Sequence, residues 1–264
     1  MKMYFKLEFK KALFSKKALL SIAIILAVFI FPNLKEIMYP VPQLDGVDNF
    51  IRFYSLSYIG FYGPLVAGLL YSTSIIKDKG SGFLDKLLEF ISSKTYFSVK
   101  VIVNGLLTSI VFAVSYGIMM LYFIIRGGIG SKAVENIARG AFEGIYFNSK
   151  IGYIILILVV ASISAASFST FILGVTTAVG KRSIAYILTP FYVVVTGIIF
   201  EMWFINDKIN FNVTQLFNLV INYRTNGLWV IVYDIVLMSL GGVILYKFCY
   251  KRSSVNHGEV LSNS

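Results

Sequence analysis

Six apolar runs, each long enough or nearly long enough to cross a bilayer, constrain this chain more than any other feature. They cover residues 12–31, 53–76, 101–125, 151–179, 184–205 and 227–250. A helix needs about 20 apolar residues to cross the hydrocarbon core. With 57% hydrophobic and only 14% charged residues, the chain has too little polar surface for a soluble globule. The sequence therefore predicts an all-α integral membrane protein with six spans in one membrane domain, residues 1–264.

The first run is predicted to be a retained span. Lysines precede it, as they would in a signal peptide, but it ends in Phe31-Pro32-Asn33 without a small-x-small cleavage site. Lys16 and Lys17 can extend from its inner end to the membrane interface. We therefore expect the run to anchor the chain in the membrane.

The distribution of basic residues predicts the orientation. If the amino terminus lies inside, most of the 24 Lys and Arg residues fall in inner segments, as the positive-inside rule requires. Both termini are thus expected in the cytoplasm, with the chain in the cell membrane. The basic residues form no patch interleaved with aromatic side chains, so the lipid bilayer, and not nucleic acid, is the expected partner of this charge.

No catalytic or metal-binding constellation is visible in the sequence. The single histidine, His257, lies in the tail, and no zinc motif occurs. The segment 174–183 resembles a phosphate-binding loop only loosely, because Arg182 stands where Ser or Thr should follow the lysine. We expect no catalytic residue, no metal site and no bound cofactor; the chain is predicted not to be an enzyme.

Small residues recur at every fourth position in the third and fourth runs, which favours close helix packing there. In the third run they are Gly105, Ser109, Ala113 and Gly117, and in the fourth Ser162, Ala166, Thr170, Gly174 and Ala178. This spacing places each set roughly on one helix face. The two helices are expected to pack together as a scaffold.

Two acidic residues lie in or near apolar runs. Glu201 stands close to the outer end of the fifth run, where an interfacial position suits it, and Asp234 lies about two turns into the last. An ionisable group in a span indicates function by default, although pairing can also serve structure alone. For Asp234 the sequence leaves both possibilities open, and we expect its carboxylate to be paired or hydrated inside the protein.

A short helix is expected outside the membrane, before the last span. In the segment 212–220, Val213, Leu216, Phe217 and Val220 fall at helical spacing, and Asn212 begins the segment like a cap. This pattern predicts an amphipathic helix that enters the outer leaflet.

An amphipathic helix is also predicted on the inner side, in the mixed stretch 77–97. Its apolar residues fall at three- and four-residue spacing, and charged residues occupy the rest of the surface. The apolar residues are Phe83, Leu84, Leu87, Leu88 and Ile91, and the acidic ones are Asp85 and Glu89. Such a helix can bind lipid alone. Acidic residues facing an anionic leaflet, however, suit a protein partner better.

These residues resemble the cytoplasmic coupling segment of type-2 ABC exporter permeases. The matching residues are Gly82, Asp85, Leu87, Leu88, Ser93 and Lys94, between the second and third of six spans. The basic amino-terminal segment, residues 1–17, is similar to the family's interfacial helix. Among such permeases, the chain is similar to bacterial exporters of amphipathic peptides, including phenol-soluble modulins and bacteriocins.

The resemblance implies that two permease copies, identical or paralogous, pair with two ABC ATPase subunits that bind ATP and Mg²⁺. The residues implied in ATPase coupling are Phe83, Leu84, Asp85, Leu87, Leu88, Glu89 and Ile91. The second and fifth spans would line the route, with Tyr58, Tyr62, Pro64, Tyr192 and Glu201 as candidate path residues. Tyrosines near an interface are, however, usually belt residues.

The substrate class stays open at this point. Amphipathic peptides are the expected cargo, and export of drugs or lipids is the close alternative. A membrane protein that confers immunity or senses a ligand without pumping is an alternative from a different class.

Overall fold

The computed structural model describes residues 2–39, 41–130, 132, 134, 137, 140–199, 211–220 and 226–250. Within these residues the chain is helical and has no β-strand. Five helices are long and apolar enough to cross a membrane, which confirms the prediction of an all-α, multi-pass membrane protein. A helix suits this setting because it pairs its own backbone N–H and C=O groups, which find no partner in hydrocarbon.

The helices are numbered here in chain order. They are α1 (Lys2–Leu13), α2 (Lys16–Ile30), α3 (Leu34–Met38), α4 (Gly46–Leu56), α5 (Ile59–Leu70), α6 (Ser74–Gly80), α7 (Phe83–Leu88), α8 (Ser93–Gly127), α9 (Glu143–Asn148), α10 (Lys150–Val179), α11 (Ser183–Val194), α12 (Thr214–Phe217) and α13 (Gly227–Ile244). A 3₁₀ turn, Phe31–Asn33, joins α2 to α3. Turns of π-helix extend α11 over Val195–Ile199 and α13 over Leu245–Tyr250.

Five of the six predicted spans correspond to helices of spanning length. These helices are Lys16–Met38, Ile59–Gly80, Ser93–Gly127, Lys150–Val179 and Gly227–Lys247. The remaining prediction, 184–205, corresponds to a shorter apolar helix over Ser183–Ile199. Its last six positions lie outside the described residues. A count of six spans therefore stays a prediction.

The predicted start of the second span, at position 53, is wrong. Phe53 belongs to α4, which begins where the Asp45 side chain accepts a hydrogen bond from the Asp48 N–H at 2.9 Å. The helix ends before Ser57, whose backbone is extended (ψ 152°), and α5 begins at Ile59. Hydropathy cannot reveal this break because the turn lies between two apolar stretches.

Pro64 and Pro190 lie in the second and fifth predicted spans, where a proline removes one helical hydrogen bond. Both prolines lie inside helices, α5 and α11, that continue on either side of them. The interruptions nearest Pro64 are the turn before Ile59 and the turn over 71–73. The regular helix of the second span is thus interrupted at both ends of α5.

Helix α10 occupies the centre of the bundle, between α8 and α13. The Ser109 hydroxyl donates to the Ser162 carbonyl at 3.0 Å, as the predicted α8–α10 scaffold requires. On the other side, a Cβ added to Gly241 would lie 2.5 Å from the Thr170 carbonyl oxygen, and one added to Gly174 would lie 2.6 Å from the Gly241 carbonyl oxygen. The close approach depends on the two glycines, as is usual where membrane helices cross at small residues.

The apolar face of the outer helix α12 packs inside the protein, and the prediction that it enters the outer leaflet is wrong. Its apolar side chains, including Leu216 and Phe217, are buried inside the protein. The Tyr54 hydroxyl donates to the Phe217 carbonyl at 2.6 Å, and the Phe217 ring fills the space left by Gly63 of α5. The amphipathic spacing predicts the apolar face of this helix correctly. That face packs on neighbouring helices because they leave a recess that fits it.

Both ends of the described chain lie at the same end of the bundle. A set of buried side chains there, which we call the inner cluster, draws on five segments and packs against Tyr4 of α1. Its buried members are Ile75, Leu84, Tyr96, Phe97, Leu173 and Leu245. We call this end of the bundle the inner end, after the predicted orientation.

The α10–α13 crossing gives a first prediction. Gly241→Ala places a methyl group against the Thr170 carbonyl, so we expect a lower melting temperature in detergent. Gly242→Ala is the matched control, because a Cβ there meets nothing within 4 Å. The control should be neutral or stabilised by up to about 1 kcal/mol, since alanine favours a helix over glycine. Equal melting temperatures for the two variants would contradict the close crossing.

Candidate functional site

The inner elbow, residues 74–91, is the segment in which the sequence predicted a coupling helix. It consists of α6, a turn and α7, and it follows the end of α5 at Leu70. The turn depends on Gly82, whose φ of +69° lies in the left-handed region that glycine tolerates best. Ser92 then caps α8 by accepting a hydrogen bond from the Thr95 N–H at 3.3 Å. The predicted helix forms, but it is short and ends at Leu88.

The apolar face of the elbow packs on the protein itself. Leu84 is buried in the inner cluster, and Leu87, Leu88 and Ile91 are half-buried against it. The resemblance to a coupling segment implies that these side chains contact an ATPase. The structure places them inward because the inner ends of α8, α10 and α13 offer an apolar surface beside them.

The outward face of the elbow carries both charged and aromatic groups. Asp85 and Glu89 are exposed, as predicted, and Phe83 is 42% exposed. Phe90, which was not among the predicted coupling residues, is 82% exposed. Phe90 lies three residues after Leu87 and seven after Phe83, so helical spacing alone would place it on the apolar face. The helix, however, ends at Leu88, and Phe90 lies beyond it, exposed to solvent.

A buried ion cluster fixes the elbow to α8 and α1. The Lys100 ammonium of α8 lies 2.5 Å from a carboxylate oxygen of Glu8 and 2.7 Å from one of Asp78. Only 1% of the Lys100 side chain is exposed. Tyr96 donates its hydroxyl proton to Asp78 at 2.9 Å, and Tyr71 donates to Glu8. We call these five residues the Lys100 cluster.

The Lys100 cluster pairs one ammonium with two carboxylates, and the two tyrosine hydroxyls supply further donors. Burial alone raises the pKa of Glu8, but the Lys100 charge and the hydrogen bonds outweigh it and hold this pKa below its ordinary value of 4.5. Glu8 therefore stays ionised near neutral pH. The cluster joins α1, α6 and α8 through bonds that break if any one segment moves away.

A second cluster, which likewise pairs one lysine with two carboxylates, lies at the opposite end of α8. Lys150, at the start of α10, pairs with Asp45 and lies 2.6 Å from Asp48. Tyr146 donates to Asp48 at 2.7 Å, and the Gly130 N–H donates to Asp45 at 2.9 Å. Burial raises the pKa of Asp45, yet these bonds hold it below its ordinary value. Neither cluster could be predicted from the sequence, because each lysine lies far along the chain from its carboxylate partners.

The candidate path residues differ in their exposure. Tyr58 and Tyr62 lie exposed on the surface of α5, whereas Pro64 is buried. Tyr192 is half-buried on α11, with its hydroxyl 2.8 Å from that of Tyr233. Glu201 lies outside the described residues. A path shared by these residues stays a prediction.

Asp234 is paired inside the protein, as expected. It is only 4% exposed, and its carboxylate accepts a hydrogen bond from the Ser164 hydroxyl at 2.7 Å. The pair joins α13 to α10 within the bundle. Its geometry supports a structural role in helix association, to which interhelical polar contacts contribute.

Comparison with known proteins adds no relative to this description. No protein-family model, characterised protein or solved structure matches the chain. The functional interpretation therefore depends on the geometry of the inner elbow and on the residues that resemble a coupling segment.

The Lys100 cluster gives a second prediction. Lys100→Met leaves two buried carboxylates without their cation, which should cost about 3–5 kcal/mol of unfolding free energy. Lys86→Met, at an exposed position on α7, is the control and should change little. A triple variant, Glu8→Gln, Asp78→Asn and Lys100→Met, removes all three charges and should recover part of the loss. Lack of recovery would mean that the packing of the lysine chain, and not its charge, is what matters.

The lowered pKa of Glu8 gives a third prediction, for the dependence of stability on pH. A carboxyl group whose pKa falls on folding stabilises the protein above its ordinary pKa, 4.5, and loses that contribution as the pH falls through the folded-state value. The difference in unfolding free energy between the wild type and Glu8→Gln should therefore be largest near neutral pH and shrink in acid. Glu89→Gln, at an exposed site, should show no such trend. A difference that does not vary with pH would contradict the prediction.

Proposed function

We propose that this chain is the membrane-spanning subunit of an ATP-driven exporter of the ABC type, and that a separate ATPase docks on the inner elbow. One observation carries the proposal. The elbow presents Phe90, Asp85 and Glu89 to solvent, while Leu84 is buried in the inner cluster beneath them. Exposed aromatic side chains on a fixed support are typical anchors of protein–protein contacts.

The contacts that hold the elbow against the inner ends of the spanning helices suit the transmission of force. Leu84 packs in the same cluster as Tyr96 of α8, Leu173 of α10 and Leu245 after α13. Displacement of the elbow by a partner would therefore act on the inner ends of three helices of spanning length. The Lys100 cluster adds a polar link from α6 to α8, so the elbow is held by both apolar and ionic contacts.

The chemistry of the exposed face defines the expected partner surface. Phe90 requires an apolar pocket, and the carboxylates of Asp85 and Glu89 require basic groups beside it. Phe83 is less available, because the Lys11 ammonium lies 5.8 Å from the centre of its ring. We therefore assign Phe90 the central part of the contact and the two carboxylates its rim.

In this proposal, two copies of the chain assemble with two ATPase subunits, which bind ATP and Mg²⁺. The cargo is an amphipathic peptide or another hydrophobic compound. The surfaces of α5 and α11 line the route between the two copies. Support for α5 comes from its exposed aromatic side chains, Tyr58, Phe61 and Tyr62, which can contact an apolar cargo.

Truncation at Phe90 tests this function and is the fourth prediction. The gene neighbourhood is first searched for an ABC ATPase; the chain is co-expressed with the ATPase found there, and both co-purification and cargo-stimulated ATP hydrolysis are measured. Phe90→Ala should weaken the complex by about 2 kcal/mol, roughly 30-fold, as expected for an anchor residue. Asp85→Lys should weaken it less, because a charge at the rim contributes little. Leu87→Asp is less informative, since Leu87 also packs inside this chain.

Phe31→Ala is the matched control, because Phe31 is 72% exposed but follows α2 at the other end of that span. It should leave both measurements unchanged, and the purified chain alone should not hydrolyse ATP. Wild-type complex formation and hydrolysis in a Phe90→Ala, Asp85→Lys double variant would contradict docking at the elbow. Failure of the wild-type chain to bind any ATPase would favour the alternative, a membrane protein for immunity or sensing that does not pump.

A further inference from the structure

A groove opens between the inner ends of α8 and α13, away from the outward face of the elbow. It encloses a cavity of about 340 Å³. The lining residues are Lys94, Phe97, Ser98, Val101, Ile102, Gly242, Leu245 and Tyr246. All but Lys94 and Ser98 are apolar, aromatic or glycine. The groove is therefore an apolar recess with a single cationic residue in its lining.

Gly242 provides the space that makes this recess. A Cβ added there would meet no atom within 4 Å, whereas its neighbour Gly241 lies tightly against α10. Gly241 is thus required for the packing of α13 on α10, whereas Gly242 leaves a gap on a neighbouring face of the same helix. An unfilled apolar recess on a membrane-facing surface is filled by lipid, since neither water nor an empty void is favourable there.

The position of the groove fits the boundary between headgroups and hydrocarbon. The spanning part of α13 ends at Lys247, so Gly242 and Leu245 lie in its last turns. Along α8, the distance from Lys94 to Ile102 is roughly 12 Å at the helical rise of about 1.5 Å per residue. That length is close to the depth of one leaflet, about half of the ~30 Å core. Lys94 is at the end of the groove nearer the headgroups.

The charge of Lys94 selects the headgroup. Its side chain is exposed, and it forms no ion pair with another described residue. A lipid phosphate whose charge is not balanced by an amine in the same headgroup would supply an anionic partner for Lys94. Basic pockets between membrane helices bind such headgroups. A zwitterionic lipid carries its own cation close to the phosphate and gains less from the lysine.

We propose that this groove is a binding site for one anionic phospholipid, with an acyl chain between α8 and α13 and the headgroup phosphate at Lys94. The site does not depend on the proposed transport function, because none of the groove residues belongs to the exposed docking face. It does reach the elbow indirectly, since Leu245 and Phe97 belong both to the groove and to the inner cluster. A bound lipid therefore stabilises the support on which the elbow is mounted.

Competition between two lipids tests the headgroup and is the fifth prediction. The purified chain is mixed in detergent with equal amounts of phosphatidylglycerol and phosphatidylcholine of identical acyl chains, and bound lipid is measured by native mass spectrometry. The wild type should retain phosphatidylglycerol preferentially. Lys94→Gln should reduce that preference roughly fivefold, and Lys86→Gln, at another exposed inner lysine, should not. The proposal is overturned if the wild type retains the two lipids equally. It is also overturned if Lys94→Gln and Lys86→Gln reduce the preference for phosphatidylglycerol to the same extent.

A second variant tests the groove itself. A Cβ at position 242 meets no atom within 4 Å, so Gly242→Leu should extend its side chain into the recess, keep at least the wild-type melting temperature in lipid-free detergent, and lose the bound lipid. In the wild type, added phosphatidylglycerol should raise the melting temperature; in Gly242→Leu it should not. Retention of phosphatidylglycerol by Gly242→Leu overturns the proposal. So does a lipid-free wild-type dimer that Gly242→Leu converts to a monomer, which would make a second copy the occupant.

Discussion

A buried lysine ammonium requires carboxylate partners, and the two buried lysines among the described residues, Lys100 and Lys150, join segments that lie far apart in the chain. Lys100 of α8 recruits one carboxylate from α1 and one from α6, while Lys150 of α10 recruits two from the start of α4. Because α8 and α10 are antiparallel, the two clusters lie at opposite ends of the bundle. Charge pairing thus fixes both ends, and close packing at small residues holds the helices together between them.

This arrangement explains why the inner elbow can be both exposed and firmly held. Its leucines pack on the inner cluster, and the Lys100 cluster ties α6 to α8, so the outward face need not contribute to stability. Phe90 remains in solvent, where an isolated aromatic ring gains nothing from folding. Such a division between a buried support and an exposed face is what a docking segment requires. The groove beside it shares Leu245 and Phe97 with the same support, so the surrounding lipid acts on the same element.

Parts of the candidate site could be predicted, and others could not. The spacing of Leu84, Leu87, Leu88 and Ile91 predicted an apolar helix face correctly, because helical periodicity is a local property. Whether that face meets a partner, lipid or the protein itself depends on what lies beside it, and the structure shows the protein's own inner cluster. The same applies to α12, whose amphipathic face packs on Gly63 and its neighbours and does not enter a leaflet. Phe90 became a candidate only once its exposure was known.

The sequence by itself determined the all-helical membrane class, the approximate positions of the long helices α8, α10 and α13, and that Asp234 lies inside the protein and not against lipid. These follow from local composition and from the cost of leaving polar groups in hydrocarbon, which any arrangement of the helices must meet. Only the tertiary structure decided which carboxylates meet Lys100 and Lys150, and where the second span begins. Glu8 and Lys100 are far apart in sequence, and many acidic residues could have satisfied the same lysine. Such partners are selected by the packing of whole helices, a non-local property that neither hydropathy nor periodicity records.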